Sequence, residues 1–199
     1  RFWMPFSANL EFARDPRMIV GAKGMYYTSD DGRQIMDATA GLWCVNAGHA
    51  DPLIVEAVQN QIATLDYAPH FNFATPQAFE LAGKVAGLFP EGLDHVFFTN
   101  SGSESVDTAL KIAIAYQRAI GQGTRTRLIG RERGYHGVTI AAASLTGIPM
   151  VHKAFDIPLP RMLHTVMPHY YANAEPGMSE LDFSKWCAAK LEEMIIAEG

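Results

Sequence analysis

Apolar positions recur along the chain with two different periods, and the switches between them mark its elements. Val96-Phe97-Phe98 is a continuous β-prone run that predicts a buried strand, and Asn100-Ser101-Gly102-Ser103 follows it as a turn of small residues. Beyond the turn, Val106, Ala109, Leu110, Ala113, Tyr116 and Ile120 repeat at helical spacing, with Glu104, Asp107, Lys111 and Arg118 on the other side. This predicts an amphipathic helix. Ser101 and Glu104 have the spacing of a capping box, and Asp107 and Lys111 that of a favourably oriented i,i+4 ion pair.

The same reading extends to the rest of the chain. Arg1 to Met18 carries Phe2, Trp3, Phe6 and Phe12 with two prolines and no period, which predicts an extended arm. Residues 19–37 alternate around Ser29-Asp30-Asp31-Gly32, and Asp-Gly between Met25-Tyr26-Tyr27 and Arg33-Gln34-Ile35-Met36 predicts a hairpin. Residues 37–49 are rich in Gly and Ala around Trp43, a composition that lets backbone approach a ligand beside a flat aromatic wall. A packed core tryptophan would read the same way. Asp51 and Pro52 suit the cap and first turn of a helix whose buried face is Ile54, Val58, Ile62 and Leu65. A second helix runs from about Pro76 to Leu88. Between the two, Tyr67, Phe71 and Phe73 sit in a proline-bounded loop whose aromatic content predicts an interface.

In the second half of the chain, Leu128-Ile129-Gly130 and Leu163 to Met167 predict short strands, and Ala141 to Ser144 a helix of small residues. Residues 150–160 and 169–177 read as irregular. From Ser179, the spacing of Cys187, Ala188, Leu191, Met194 and Ile195 predicts a last helix. Alternating strand and helix predicts an α/β fold with a parallel sheet, whose ligands bind beyond the carboxyl ends of the strands. That rule places Ser101–Ser103 and Gly134-Tyr135-His136-Gly137 at one edge.

Of the 199 residues, 48% are hydrophobic and 19% charged, the composition of a globular protein with one sizeable core. A net charge of −5 with scattered arginines carries no basic face, which argues against nucleic acid. No apolar run approaches the roughly 18 residues a bilayer requires, and no secretory pattern opens the chain, so no membrane partner and a cytoplasmic location are expected. Cys44 and Cys187 are far apart and read as reduced, packed thiols, and the seven histidines form no metal-ligand spacing.

The turn at residues 100–103 is the richest in chemistry. Unpaired amides and the positive end of a helix dipole suit a phosphate, with Gly102 allowing close approach and Ser101 and Ser103 adding hydroxyls. An ordinary capped βα turn has the same local pattern. The chain contains neither a P-loop nor a Gly-x-Gly-x-x-Gly after a predicted strand.

Residues 99–111, Thr-Asn-Ser-Gly-Ser-Glu-Ser-Val-Asp-Thr-Ala-Leu-Lys, closely resemble the phosphate cup of the class III (omega-amino-acid) aminotransferases, which use pyridoxal 5′-phosphate, PLP. Gly41-Leu42-Trp43-Cys44-Val45-Asn46-Ala47-Gly48-His49 and Gly134-Tyr135-His136-Gly137 resemble two further segments of that family, in the same order.

The resemblance implies an aspartate aminotransferase-like fold type I, here incomplete, with a parallel-rich sheet flanked by helices. Residues 1–66 would be an N-terminal segment of the small domain and 67–199 the first half of the large domain. It implies that Ser101, Gly102 and Ser103 hold the phosphate, that Tyr135 lies against the pyridine ring with His136 and Gly137 in the same loop, and that Trp43 and Leu42 face the substrate. Aromatics of the N-terminal arm would approach the site entrance, and Phe71 and Phe73 would line the pocket of a partner subunit in a homodimer or tetramer.

The implied reaction is transamination of an omega-amino acid or amine, such as β-alanine, with the keto acid pyruvate as acceptor. None of Lys23, Lys84, Lys111, Lys153, Lys185 and Lys190 suits the catalytic role, and the resemblance implies that the Schiff-base lysine and the acid that pairs with the pyridine nitrogen come from later in the chain, beyond residue 199. The chain is then the N-terminal half of a longer enzyme. Two alternatives stand beside this one: a PLP-dependent aminomutase of the same fold, and a non-catalytic phosphate-binding α/β module.

Overall fold

Short local signals account for most of the elements in the computed structural model, which describes residues 2–199. Arg1, at the start of the expected arm, lies outside the described residues. Contacts divide the chain into a first unit ending at Leu88 and a second spanning Phe89–Gly199. That division concerns contacts within this chain, whereas the boundary expected at residue 66 is one implied for the domains of a longer enzyme.

In the first unit the arm contains a single turn, α1 (Asn9–Phe12), and Phe2, Trp3 and Phe6 are exposed. The Asn9 side chain ties the arm together, accepting from the Met4 amide at 2.9 Å and donating to the Met4 carbonyl at 3.0 Å. The expected hairpin is formed by β2 (Tyr26–Ser29) and β3 (Gln34–Met36), closed by the Ser29 amide donating to the Arg33 carbonyl at 3.0 Å. β1 (Ile19–Lys23) joins it as a third antiparallel strand, in the order β1-β2-β3.

A four-residue turn, α2 (Ala40–Trp43), precedes α3 (Pro52–Thr64) and α4 (Pro76–Ala86). Asp51 caps α3 as expected, its carboxylate accepting from the amides of Leu53 at 2.9 Å and Ile54 at 3.2 Å, with Pro52 opening the first turn. The apolar stripe Ile54, Val58, Ile62 and Leu65 is present but not buried. Its first three residues line an open groove with Leu81 of α4 and the stems of Gln61 and Lys84. Periodicity decides which side of a helix is apolar; covering that side requires a second layer, which the described residues do not supply.

The second unit runs α5 (Gly102–Ala119), β4 (Leu128–Arg131), α6 (Ile140–Leu145), α7 (Pro149–His152), β5 (Met162–Thr165), α8 (Tyr170–Asn173) and α9 (Glu180–Glu198). β4 and β5 pair in parallel, from Leu128 opposite Met162 to Arg131 opposite Thr165, as the alternation of strand and helix predicts. Its core is built on α6, where Ala142, Ala143, Ser144, Leu145 and Thr146 are all buried. Ser144 and Thr146 satisfy themselves by donating to the carbonyls of Ile140 and Ala142. α9 adds Phe183, which stacks on Trp186 and meets Tyr170 edge-on.

Several expectations are corrected here. Val96-Phe97-Phe98 forms no strand, and Phe97 and Phe98 are exposed, because a strand exists only where a neighbour completes its hydrogen bonds and none of the described residues pairs with this run. The half-buried side of α5 is Ser103, Val106, Asp107, Thr108, Leu110, Ile114 and Gln117, while Ala109, Ala113, Tyr116 and Ile120 are exposed. On α9, Phe183, Cys187, Leu191 and Met194 turn inward and Ala188 and Ile195 do not. Cys44 is exposed rather than packed. The irregular stretches hold two short helices, α7 and α8, and the ring nitrogen of His169 caps α8 by accepting from the Ala172 amide at 3.1 Å.

Candidate functional site

The turn before α5 has the geometry of an anion cradle. Ser101 is the extended cap residue, and its Oγ accepts from the Glu104 amide at 3.2 Å. Glu104 reaches back one residue further than a capping box requires, accepting from the Asn100 amide at 2.9 Å and the Asn100 side chain at 3.2 Å. The amides of Gly102 and Ser103 meet no protein acceptor among the described residues, and a Cβ added to Gly102 would meet nothing within 4 Å. The Ser101 hydroxyl accepts its one bond through oxygen, which leaves its proton free to donate.

The loop after β4 is fastened to this turn. The Val138 amide donates to Ser103 Oγ at 3.0 Å, and Thr139 Oγ1 and the Ala142 amide both donate to Asp107 Oδ1, at 2.9 and 3.1 Å. On its other side the His136 amide donates to the buried Thr146 hydroxyl at 2.9 Å. Gly137, at φ 134°, lies so close that a Cβ there would fall 2.6 Å from Ser103 Oγ and 2.8 Å from Ser103 Cα. The structure thus brings Ser101–Ser103 and Tyr135–Gly137 together at the N-terminal end of α5. The Tyr135 ring is largely exposed.

Asp107 is the residue that sequence reasoning misplaced. Instead of pairing with Lys111 it caps α6 from a neighbouring helix, supplying the acceptor that Thr139, the cap residue of α6, does not provide for itself. An acceptor for helix N-terminal amides, aided by the helix dipole, outweighs an exposed ion pair worth a few tenths of a kcal/mol, roughly. The only sequence signal for this role is the absence of an acid in the first turn of α6.

In the first unit, Ala40, Gly41, Leu42 and Trp43 all have left-handed dihedrals, with φ of 50°, 59°, 59° and 67°. Each non-glycine residue so placed costs roughly 1–2 kcal/mol. The compensation converges on Asp37. Its carboxylate accepts from the Gly41 amide at 2.6 Å, from the Thr39 amide and hydroxyl at 3.2 Å each, and meets His49 Nε2 at 2.8 Å. The Asp37 side chain is 3% exposed, and burial alone would raise its pKa. Hydrogen bonds from His49, the Thr39 amide, Tyr27 and the Gly41 amide outweigh burial and hold it at about 2. With the folded value below that of an unfolded carboxylate, Asp37 contributes stability at every pH above the ordinary carboxylate range and loses it as pH falls toward about 2. Tyr27 meets the His49 ring in a tilted contact, 4.5 Å between ring centroids and 55° between planes, and the pKa of its hydroxyl is pushed up by burial and by the Asp37 carboxylate. Trp43 and Leu42 project from this turn, exposed, as do Phe71 and Phe73 from their loop.

No lysine is set apart for catalysis among the described residues. Lys84 pairs with Glu80 and Lys190 with Glu193, each at 2.7 Å, and Lys23, Lys111, Lys153 and Lys185 are exposed. Nor does any group of three or more His, Cys, Asp or Glu among the described residues form a metal cluster, and no described helix is long and apolar enough to cross a membrane.

Comparison with known proteins adds three findings. The family model described as aminotransferase class-III matches residues 11–198. An omega-aminotransferase of Caulobacter vibrioides is 57% identical over 168 residues, covering 84% of this chain and 38% of that protein, and a beta-alanine–pyruvate aminotransferase of Pseudomonas aeruginosa is 51% identical over 168 residues, covering 83% and 38%. The chain therefore spans less than half the length of these curated relatives. Among solved structures, the omega transaminase of Pseudomonas jessenii in complex with PMP superposes with a TM-score of 0.96 at 36% identity, over 100% of this chain and 44% of that one.

Proposed function

This chain belongs to the class III aminotransferases and has their PLP-dependent fold type I, and from that premise we propose that it supplies the phosphate cup and ring-facing loop of an enzyme that moves an amino group from an omega-amino acid or amine to pyruvate. The observation that carries this reading is the pair of unclaimed amides at Gly102 and Ser103, in a cradle locked to the Tyr135 loop. PLP fits that donor set. Two amides, the Ser101 hydroxyl proton and the positive end of an eighteen-residue helix match a phosphate dianion without any cation.

Bound there, PLP supplies a carbonyl that exchanges amines and an electron-withdrawing ring. The part proposed for this chain's residues is to bind and orient it. Gly102, Ser103 and Ser101 bind the phosphate. Tyr135 stacks on the ring, His136 and Gly137 shape the loop that carries it, and Trp43 with Leu42 forms a wall of the substrate pocket.

Tyr135→Ala should loosen PLP by roughly three- to tenfold, the worth of one offset aromatic contact at about 0.5–1.5 kcal/mol. Trp43→Ala should change the relative kcat/KM for amines of different bulk and leave PLP affinity nearly unchanged. Spectrophotometric PLP titration and an amine panel with pyruvate test both, and reversed phenotypes would show that the two roles are misassigned.

The exposed Phe71 and Phe73 support a further part of the proposal, that the enzyme is a homodimer, paired further or not, whose pockets are lined from the neighbouring subunit. Analytical ultracentrifugation of the holoenzyme with an activity assay across the same concentrations tests it; a fully active monomer would refute it.

A further inference from the structure

The strained turn Ala40–Trp43 is held by groups other than those proposed to meet the cofactor or substrate. Four successive left-handed residues, three of them not glycine, do not persist without a partner that makes other conformations worse. The partner is a single carboxylate. Asp37 takes the Gly41 amide from inside the turn and the Thr39 amide and hydroxyl from its start, and is itself buried against His49 and the Tyr27 hydroxyl. His49 is fixed in turn, its backbone exchanging two hydrogen bonds with Gly24 at 2.8 and 2.9 Å and its ring meeting Tyr27 at a tilt of 55°. A Cβ at Gly41 would stand 3.0 Å from Val45 and 3.3 Å from the Tyr27 hydroxyl, so the turn is seated closely on this cluster.

We propose that Asp37, backed by His49 and Tyr27, is a positioning residue for substrate selection, a clamp that holds the left-handed turn and so fixes the direction in which Trp43 leaves the backbone. The consequence for selectivity rests on Trp43 being a substrate wall, as proposed above; the clamp itself does not. The chemistry is that of a buried acceptor. An ionised carboxylate can receive the amides and His49 at once, whereas an amide in its place has a single acceptor oxygen and turns N–H donors toward groups that already donate. The Trp43 side chain is exposed and makes no hydrogen bond among the described residues, while its amide donates to the Thr39 carbonyl at 2.9 Å, so its orientation is set by the backbone beneath it.

The test uses the PLP-loaded holoenzyme labelled with 5-fluorotryptophan, the Trp43 fluorine signal being assigned by its loss in Trp43→Phe. Asp37→Asn and His49→Leu are expected to shift or broaden that signal and to raise KM for a bulky arylalkylamine about tenfold, with kcat and PLP affinity within about twofold of the parent. His49→Gln, which returns an N–H donor to the place of Nε2, is expected to restore both the signal and KM.

A Trp43 signal that stays in place in Asp37→Asn and His49→Leu overturns the clamp. A signal that moves while amine KM does not upholds the clamp and refutes the substrate-wall reading of Trp43. If Asp37→Asn does not fold, the His49→Leu and His49→Gln pair decides by itself, since loss in one and rescue in the other follow only if the donor to Asp37 is what matters.

Discussion

Gly102→Val is expected to weaken PLP binding roughly a hundredfold or more, the loss of one amide contact to a charged acceptor together with steric exclusion of the phosphate. Stability of the apoprotein should change little. The added side chain meets no protein atom within 4 Å of its Cβ, and residue 102 is the first of the helix, where its amide has no intrahelical partner to lose. The side chain instead occupies the open space over the turn. PLP titration of the apoenzyme beside thermal denaturation separates the two quantities. Parental PLP affinity in Gly102→Val would mean that the phosphate sits elsewhere.

Gly137→Ala should behave in the opposite way, damaging the fold of the loop first and ligand binding as a result. A methyl group at 137 would stand 2.8 Å from Ser103 Cα and 2.6 Å from its Oγ, and one of these atoms is backbone that cannot swing aside. The residue also sits at φ 134°, a conformation L side chains rarely adopt. Overpacking and backbone strain together put the cost near 3 kcal/mol, about 1–3 from the contact and about 1–2 from the dihedral. The loop should lift from α5, breaking the bond from the Val138 amide to Ser103 Oγ and separating Tyr135 from the cup. Denaturant unfolding of the apoprotein, with amide exchange at Val138, measures this. A Gly137→Ala protein of parental stability and protected Val138 would show that the contact with Ser103 is not made in solution.

The pair of variants also tests how the site is organised. On the proposed reading one glycine leaves room for a ligand, the other makes room for Ser103, and the sequence presents both as glycines in small-residue loops. Among the described residues, open space at one and collision at the other become visible only when the loop of residues 134–139 is laid against α5.

What the sequence determined by itself is what depends on near neighbours. Asp51 capping α3, Ser101 capping α5, Ser179 capping α9 and the Ser29–Arg33 hairpin all rest on bonds spanning two to four residues, so the types and spacing of the residues are sufficient. The ordered segments at 41–49, 99–111 and 134–137 carried the family, which the match over residues 11–198 establishes. The parallel pairing of β4 and β5, though it spans 34 residues, was legible through the alternation of strand and helix.

The tertiary structure alone decided the rest. Asp107 abandons Lys111 for groups 32 and 35 residues away, Ser103 receives an amide 35 residues away, and Asp37 meets His49 across 12. Each of these is a polar group choosing the best acceptor or donor that folding brings near, and local spacing contains no information about that choice. Burial went the same way. The apolar stripes of α3 and α5 and the run Val96-Phe97-Phe98 were read correctly as apolar, but whether such a surface is covered, or such a run paired, is a property of the layer laid against it.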